Sequence, residues 1–191
     1  MRLVILVSGS GSNLQSLINA ERSNNLGAAT IVGVCSDKPN IFALERARLA
    51  HVPSATVIYR KPHSKLLFEE KLRKVVLTFK PDLIVLAGFM RILGKAFIDQ
   101  FDNQVINIHP SLLPNFKGLN THSRVIFFGC KQTGATVHWV NYKLDDGSII
   151  AQKKTHVLKT DTPKILAERV LAIEHKLYPY VIKNLSLGKL P

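Results

Sequence analysis

Short apolar runs alternate with amphipathic stretches along the first part of this chain. Residues 2–7 (RLVILV) form a β-branched apolar run that stops at the small residues 8–11, which is typical of a buried strand that opens into a loop. Apolar residues then recur at helical spacing from residue 13 to about residue 22, so a helix is predicted there, with Ser12 as its N-cap.

The same alternation repeats further along the chain. Strands are predicted near residues 30–35, 55–59, 82–86 and 104–108, and helices near residues 41–51, 64–79 and 95–101. The strands are almost continuously apolar, which is expected when both faces of a sheet are covered. Strands that take turns with helices in this way favour a parallel sheet.

The second half of the chain has a different pattern. Residues 136–141 and 149–157 alternate like strands of a hairpin or meander, so the sheet is expected to end in antiparallel strands. A long helix should follow, capped by Asp161 or Thr162 and with Pro163 in its first turn. Its predicted buried stripe consists of Ile165, Leu166, Val170, Ile173, Leu177 and Val181.

These elements predict an α/β fold in one domain. We expect a doubly wound, mostly parallel sheet with helices on both faces and antiparallel strands in the C-terminal half, formed by residues 1–191 as a single unit.

Charge and cysteine content limit the classes of ligand and partner that are expected, but they do not identify one. The 26 Lys and Arg residues against 13 Asp and Glu give a net charge of +13, which favours anionic ligands. The basic residues are scattered over 61–80 and 153–189, and this spread disfavours nucleic acid. Cys35 and Cys130 lack metal-ligand spacing, so neither zinc nor a disulfide framework is expected. Without an apolar run of about 18 residues, we expect a cytoplasmic protein with no membrane partner.

The segment 8–13 (SGSGSN) lies where the first strand meets the first helix. Its small residues would let backbone amides and the helix N-terminus converge on an anion such as a phosphate. The segment is neither GxGxxG nor a Walker loop, and a tight turn without a ligand is the alternative. Ligands of open parallel sheets bind at the carboxyl ends of strands, which favours a binding role.

Asn107 and His109 lie two residues apart at the end of a predicted strand, so their side chains should share a face. An amide can donate to a developing oxyanion, and an imidazole can move a proton. The alternative for His109 is a buried histidine paired with backbone. Asp145 and Asp146 occupy a predicted loop and could place a carboxylate beside the imidazole, although Asp and Gly are also ordinary turn residues. Since no GxSxG motif or nucleophilic cysteine is found, direct attack by an amine is favoured over covalent catalysis.

Five segments together resemble one enzyme family along essentially the whole chain. They are SGSGSNLQSLI at the start, LAGFMRIL at 86–93, NIHPSLLPNFKG at 107–118, GATVHWV at 134–140 and the late ERVLAIEHKLYP. These segments resemble the glycinamide ribonucleotide formyltransferases of purine synthesis. The HPSLLP segment is shared with other folate-dependent formyltransferases and indicates the reaction class, whereas SGSGSN and the C-terminal helix favour the ribonucleotide acceptor.

The resemblance implies 10-formyltetrahydrofolate as co-substrate, glycinamide ribonucleotide as acceptor and no metal, and it is compatible with a homodimer. The implied folate-binding residues are Lys65, Met90, Arg91, Ile92, Leu93 and Asn107. Those implied for the acceptor are Gly11, Ser12 and Asn13 at its phosphate and Glu174 near its ribose and glycine end. Lys65 stands where the family often has an arginine, and an arginine and a lysine bind carboxylates differently.

The resemblance also implies the catalytic residues Asn107, His109 and Asp145. In the implied reaction the neutral acceptor amine attacks the formyl carbon, and Asn107 and a protonated His109 stabilise the tetrahedral oxyanion. Asp145 orients a water or the imidazolium, and His109 helps to deliver a proton to the departing folate nitrogen.

The chain departs from the family pattern at two positions. Asp146 stands where an LDGG motif has its first glycine, so this loop is expected to be stiffer or more acidic. Asn120 stands where the family commonly has a histidine. His122 and His138 match family positions, and we interpret both as packing or helix-capping residues.

Three other functions compete with this interpretation. A formyltransferase acting on methionyl-tRNA would suit the positive charge but is expected to carry a further RNA-binding domain. A formylfolate hydrolase is expected to carry an additional N-terminal domain. A nucleotide or folate binder without catalysis would not require Asn107, His109 and Asp145 together.

Overall fold

A computed structural model describes residues 1–59, 65–101 and 103–190. In this part of the chain the strands form one seven-stranded sheet with the order β3-β2-β1-β4-β5-β6-β7. The strands are β1 (Arg2–Val7), β2 (Thr30–Ser36), β3 (Ser54–Thr56), β4 (Leu83–Leu86), β5 (Val105–His109), β6 (Gln132–Trp139) and β7 (Ile149–His156). The helices are α1 (Ser12–Arg22), α2 (Phe42–Leu49), α3 (Lys65–Thr78), α4 (Lys95–Gln100), α5 (Thr121–Phe127) and α6 (Pro163–Ser186).

The predicted fold class is confirmed. Strands β1 to β5 pair in parallel, whereas β6 runs antiparallel to β5 and β7 runs antiparallel to β6. Strand β1 is central, and residues 3–7 are completely buried. Their side chains alternate between two apolar clusters, one with α1, α2, α5 and α6 and the other with α3 and α4. Helices therefore cover both faces of the sheet, as the alternating pattern predicted.

Two local predictions are wrong at the first helix and the third strand. Gly11, and not Ser12, is the N-cap of α1, and Ser12 is the first helical residue. Gly11 has a left-handed φ of 71°, and no side chain caps the helix by a hydrogen bond. The chain turns sharply out of β1 there, and glycine takes that conformation without steric cost. Strand β3 covers only Ser54–Thr56, because pairing with β2 is limited to three residues at the edge of the sheet. The predicted helix start at residue 64 lies outside the described residues.

The C-terminal helix begins as predicted, with Thr162 as its cap. The Thr162 hydroxyl oxygen accepts a hydrogen bond from the Ile165 amide at 3.3 Å. Ile165 itself is 46% exposed, so its assignment to the buried stripe is wrong. It lies about 100° around the helix from Leu166, which faces the core. Tyr178 and Ile182 complete the buried face instead.

The sheet brings three loops to one edge. The loops after β1, β4 and β5 all leave the carboxyl ends of neighbouring parallel strands. Strand β6 adds the next side chains, since Asn107 pairs directly with His138 and His109 with Thr136 in the antiparallel register. No helix in the described ranges is both long and apolar enough to cross a membrane.

Candidate active site

A cavity of about 720 Å³ lies at this edge of the sheet. Most of the predicted site residues contribute to its lining, and these are Asn13, Met90, Arg91, Ile92, Leu93, Asn107, His109, Asp145 and Glu174. Gly11 and Ser12 are adjacent to Asn13 in the chain but do not contribute to the lining. Residues predicted for two different ligands and for catalysis therefore share one cavity.

His109 and Asp145 form the most direct contact among the predicted catalytic residues. The Nδ1 atom of the buried His109 lies 3.3 Å from Asp145 Oδ2, and its Nε2 atom lies 2.9 Å from the carbonyl oxygen of Phe116. Both partners can only accept hydrogen bonds when the carboxylate is ionised, so a doubly protonated imidazolium satisfies both contacts. Asp145 Oδ2 also accepts a hydrogen bond from the Gly118 amide at 2.8 Å.

His138 belongs to the same cluster, which corrects its interpretation as only a packing or capping residue. Its Nε2 atom lies 3.2 Å from Asn107 Nδ2 and 3.9 Å from Asp145 Oδ1. Its Nδ1 atom lies 2.8 Å from the carbonyl oxygen of Trp139, which can only accept. Nδ1 therefore carries the proton of the neutral ring, and Nε2 accepts from the Asn107 amide. The polar residues 136 and 138, which alternate with the apolar residues 135, 137 and 139, were the available sequence signal.

The surroundings of His138 favour its neutral form. Burial lowers the pKa of His138, and it outweighs the backbone hydrogen bond to Trp139 and the nearby Asp145 carboxylate, which both act to raise it. The positive charges of His109 and Lys117 act in the same direction as burial. His138 is therefore suited to accept a hydrogen bond, while the neighbouring His109 is suited to donate two.

The start of α1 reaches the cavity through Asn13. A side chain at Gly11 would place its Cβ 2.6 Å from Ala43 Cβ, so the close approach of α2 requires glycine there. The first amides of a helix have no intrahelical acceptor and can bind an anion. Asn13 Nδ2 donates to Glu174 Oε2 at 2.7 Å in a buried contact between α1 and α6. Burial raises the pKa of Glu174 to about 7, although the hydrogen bond from Asn13 acts to lower it.

Residues 90–93 form an apolar wall of the cavity. Met90 and Ile92 are 61% and 56% exposed, so they leave apolar surface accessible beside the cavity. The wall is anchored at its start, because the Met90 amide donates to Ser8 Oγ at 2.8 Å. It is anchored again at Arg91, whose Nε donates at 2.7 Å to the completely buried carboxylate of Asp37.

Of three other residues singled out in the sequence, two line the cavity and one does not. Lys65 begins α3, is half exposed, and its Nζ lies 3.5 Å from Glu69 Oε1; it does not contribute to the cavity lining. Asn120 lines the cavity and precedes α5 with a left-handed φ of 56°. His122 also lines the cavity, and burial lowers its pKa, with the charge of His109 as a second cause. Within the described residues, no group of three or more His, Cys, Asp or Glu side chains is arranged to hold a metal ion.

Comparison with known proteins identifies the family of this chain. The sequence profile of the formyl transferase family matches residues 1–182. The phosphoribosylglycinamide formyltransferase of Escherichia coli (strain K12) is 40% identical over 190 residues, which is 100% of this chain and 89% of that protein. The trifunctional purine biosynthetic protein adenosine-3 of Bos taurus is 39% identical over 98% of this chain, which spans only 18% of that much longer protein.

The fold is shared with solved structures as well. The crystal structure of glycinamide ribonucleotide transformylase 1 from Symbiobacterium toebii superposes with a TM-score of 0.95 at 37% identity, covering 98% of this chain and 88% of that one. The resemblance of the five sequence segments is thereby confirmed over the full fold. The chain is a member of the formyl transferase family, related along its whole length to phosphoribosylglycinamide formyltransferases.

Proposed function

We propose that this enzyme transfers a formyl group from 10-formyltetrahydrofolate to the amine of N1-(5-phosphoribosyl)glycinamide. The observation that carries the proposal is that Asn107, His109 and Asp145 line one cavity, and that Asn13, Glu174 and residues 90–93 line it as well. A reaction between two substrates requires both to reach one set of catalytic groups, and residues predicted for each substrate line this one cavity. The names of the relatives support the choice of acceptor.

The acceptor would bind at the start of α1. Its phosphate would face the amides of Gly11, Ser12 and Asn13, where the helix dipole favours negative charge. Glu174 would face the ribose and glycine end of the acceptor, and a buried carboxyl group with a raised pKa can accept or donate a hydrogen bond there.

The formyl donor would bind against the apolar wall. Its pteridine ring would cover Met90 and Ile92, and Asn107 and Asp145 would lie near its reacting end. Lys65 stays a prediction for contact with the folate donor, since it does not line the cavity and is paired with Glu69.

The chemistry would follow from the hydrogen bonds already present. The acceptor nitrogen forms a bond to the formyl carbon, and the carbonyl oxygen becomes a tetrahedral oxyanion. One Asn107 N–H is directed to His138, which leaves the second for the oxyanion. His109 donates as an imidazolium, with the oxyanion replacing the Phe116 carbonyl as its acceptor. The bond to the folate nitrogen then breaks; the acceptor nitrogen loses one proton and the folate nitrogen gains one, with Asp145 balancing the charge of His109.

A competition assay tests this proposal. Purified protein is incubated with 10-formyltetrahydrofolate, with N1-(5-phosphoribosyl)glycinamide and with methionyl-tRNA present together as acceptors. We expect formyl transfer to the ribonucleotide alone, with one tetrahydrofolate released per product. Formylation of methionyl-tRNA instead, release of formate with no formylated acceptor, or binding of both small molecules without turnover would each overturn the proposal.

A further inference from the structure

Two loops without helix or strand structure meet beside His109. The first, loop A, is residues 110–120 between β5 and α5, and the second, loop B, is residues 140–148 between β6 and β7. Loop A contacts the catalytic pair twice: the carbonyl oxygen of Phe116 accepts from His109 Nε2, and the amide of Gly118 donates to Asp145 Oδ2. The position of Asp145 against the imidazole therefore depends on how the two loops are held together.

Lys117 lies between these two contacts in loop A. Its Nζ pairs with Oδ1 of Asp146, which follows Asp145 directly in loop B. Its carbonyl oxygen accepts a hydrogen bond at 2.7 Å from Arg124 of α5, so the backbone of loop A is anchored on the other side as well. Three successive residues of loop A thus contact His109, Asp146 and Asp145 in turn.

The backbone on both sides of this contact has an uncommon conformation. Phe116 has a φ of 58° and Asp145 a φ of 47°, in the left-handed region that side-chain-bearing residues rarely adopt. Residues in this region keep their conformation only when surrounding contacts hold them. The ion pair between the loops is one of those contacts, and its carboxylate replaces the glycine of the LDGG motif that the sequence departs from at this position.

We propose that Lys117 and Asp146 are positioning residues, whose ion pair holds loop A against loop B and so keeps the Asp145 carboxylate in contact with His109. The inference rests on the proposed function for its consequence in catalysis, and on the loop contacts alone for its structural part. The two side chains are 34% and 38% exposed, so the pair contributes little to overall stability. Catalysis is more sensitive, because a small displacement of a catalytic group slows a reaction strongly.

The ion pair also balances the negative charge that Asp146 adds beside Asp145. Asp146 adds a second carboxylate next to Asp145, beside the imidazole rings of His109 and His138. Its hydrogen bond to Lys117 lowers the pKa of Asp146, so the added carboxylate is ionised and neutralised by a cation on the opposite loop. The acidic residue at this position is therefore paired with loop A and leaves no unbalanced charge at the site.

Charge-removing and charge-swapping variants test the proposal. We compare Lys117→Met, Asp146→Asn, their double variant and the swap Lys117→Asp with Asp146→Lys. Each is measured for kcat and KM, and for hydrogen exchange of the Gly118 amide in the protein without substrates. Lys74→Met and Glu70→Gln serve as matched controls, since they remove the same charges from an exposed pair on α3.

We expect both single variants to lower kcat about three- to fivefold, within what a partly exposed ion pair can contribute, with KM nearly unchanged. Exchange at Gly118 should become faster, the double variant should be no slower than either single one, and the swap should recover most of the lost kcat. The two controls should match the unaltered protein in both measurements.

The outcomes separate this inference from the proposed function. If the unaltered protein transfers no formyl group, the proposed function fails, and Gly118 exchange alone then decides whether the ion pair holds the loops. If the protein is active, an unchanged kcat in both single variants overturns the inference. Unchanged Gly118 exchange, or a swap that stays as slow as the single variants, overturns it equally.

Discussion

The Nδ2 atom of Asn107 lies 3.2 Å from Nε2 of His138, its direct partner across the β5–β6 strand pair. Because His138 Nδ1–H donates a hydrogen bond to the Trp139 carbonyl, the Nε2 lone pair of the neutral ring faces the Asn107 amide. This contact orients the Asn107 amide, because it holds the NH₂ group and not the amide oxygen against His138. A residue in a neighbouring strand thus orients the side chain proposed to stabilise the oxyanion.

Variants of this pair should not have additive effects. Asn107→Ala should lower kcat about 10² to 10³ fold, as expected for the loss of one oxyanion donor. His138→Phe should cause a smaller loss, about tenfold, because it misorients the amide but does not remove it. If His138 acts only through Asn107, the double variant should be no slower than Asn107→Ala alone. Steady-state rates of the three variants check this, and multiplied losses would show that His138 has a separate role.

His109 should be essential for rate and dispensable for folding. His109→Ala should lower kcat by at least about 10² fold, because the reaction loses the group that we propose for proton transfer. Asp145→Asn keeps the shape of the side chain but removes the charge that balances the imidazolium, so it should also be slow. His156→Ala, on the exposed face of β7, is the control. Near-native formyl transfer by a folded His109→Ala protein would remove His109 from the mechanism.

Glu174 should make stability fall as the pH rises. Its pKa is about 7 in the folded protein, against the ordinary value of 4.5, so between these values the folded state holds more protons than the unfolded state. The stabilisation of the folded state by the protonated Glu174 carboxyl is complete below about pH 4.5 and is lost by about pH 7. It amounts to at most about 3 kcal/mol in the free energy of unfolding.

The variant Glu174→Gln should lack this dependence. Urea unfolding of both proteins at pH 5 and pH 8 measures the free energy of unfolding. From pH 5 to pH 8 this free energy should fall less in the variant than in the unaltered protein. If the free energy of unfolding changed equally with pH in the two proteins, Glu174 would not be protonated in the folded state. The same variant should bind the ribonucleotide more weakly if Glu174 faces that substrate.

Arg91 should matter for stability as well as for the donor. Arg91→Met leaves the buried Asp37 carboxylate without its partner, and breaking such a pair should lower the free energy of unfolding by about 3 kcal/mol. The wall 90–93 also loses an anchor, so KM for the formyl donor should rise. Adding Asp37→Asn should recover part of the stability, because the uncompensated charge is removed.

A surface pair provides the comparison for this experiment. Arg48 and Glu45 form an equally short ion pair on α2, but both side chains are largely exposed. Arg48→Met should therefore leave the denaturation midpoint almost unchanged. If Arg91→Met were equally mild, the buried carboxylate would have to be satisfied in some other way.

Local patterns in the sequence predicted most of the fold. Strand β1, the parallel alternation, the antiparallel C-terminal strands and the Thr162 cap follow from periodicity and cap chemistry, which act over a few residues. The same locality explains why Asn107 and His109 could be placed on one side of β5, since a strand repeats every two residues. The Ser12 cap was wrong because the chain turns one residue earlier, at Gly11, which has a left-handed φ of 71° and lies too close to Ala43 of α2 for any side chain.

Only the tertiary structure decided which distant groups meet. The contacts of His109 with Asp145, of Asn107 with His138 and of Asn13 with Glu174 join segments that no local pattern relates. The first two contacts depend on strand register and on the path of loop B, and the third depends on the packing of α1 against α6. The sequence by itself thus determined the elements and the candidate chemical groups, through covalent geometry and periodic burial. The fold determined their distances, because spacing along a chain does not specify separation in space.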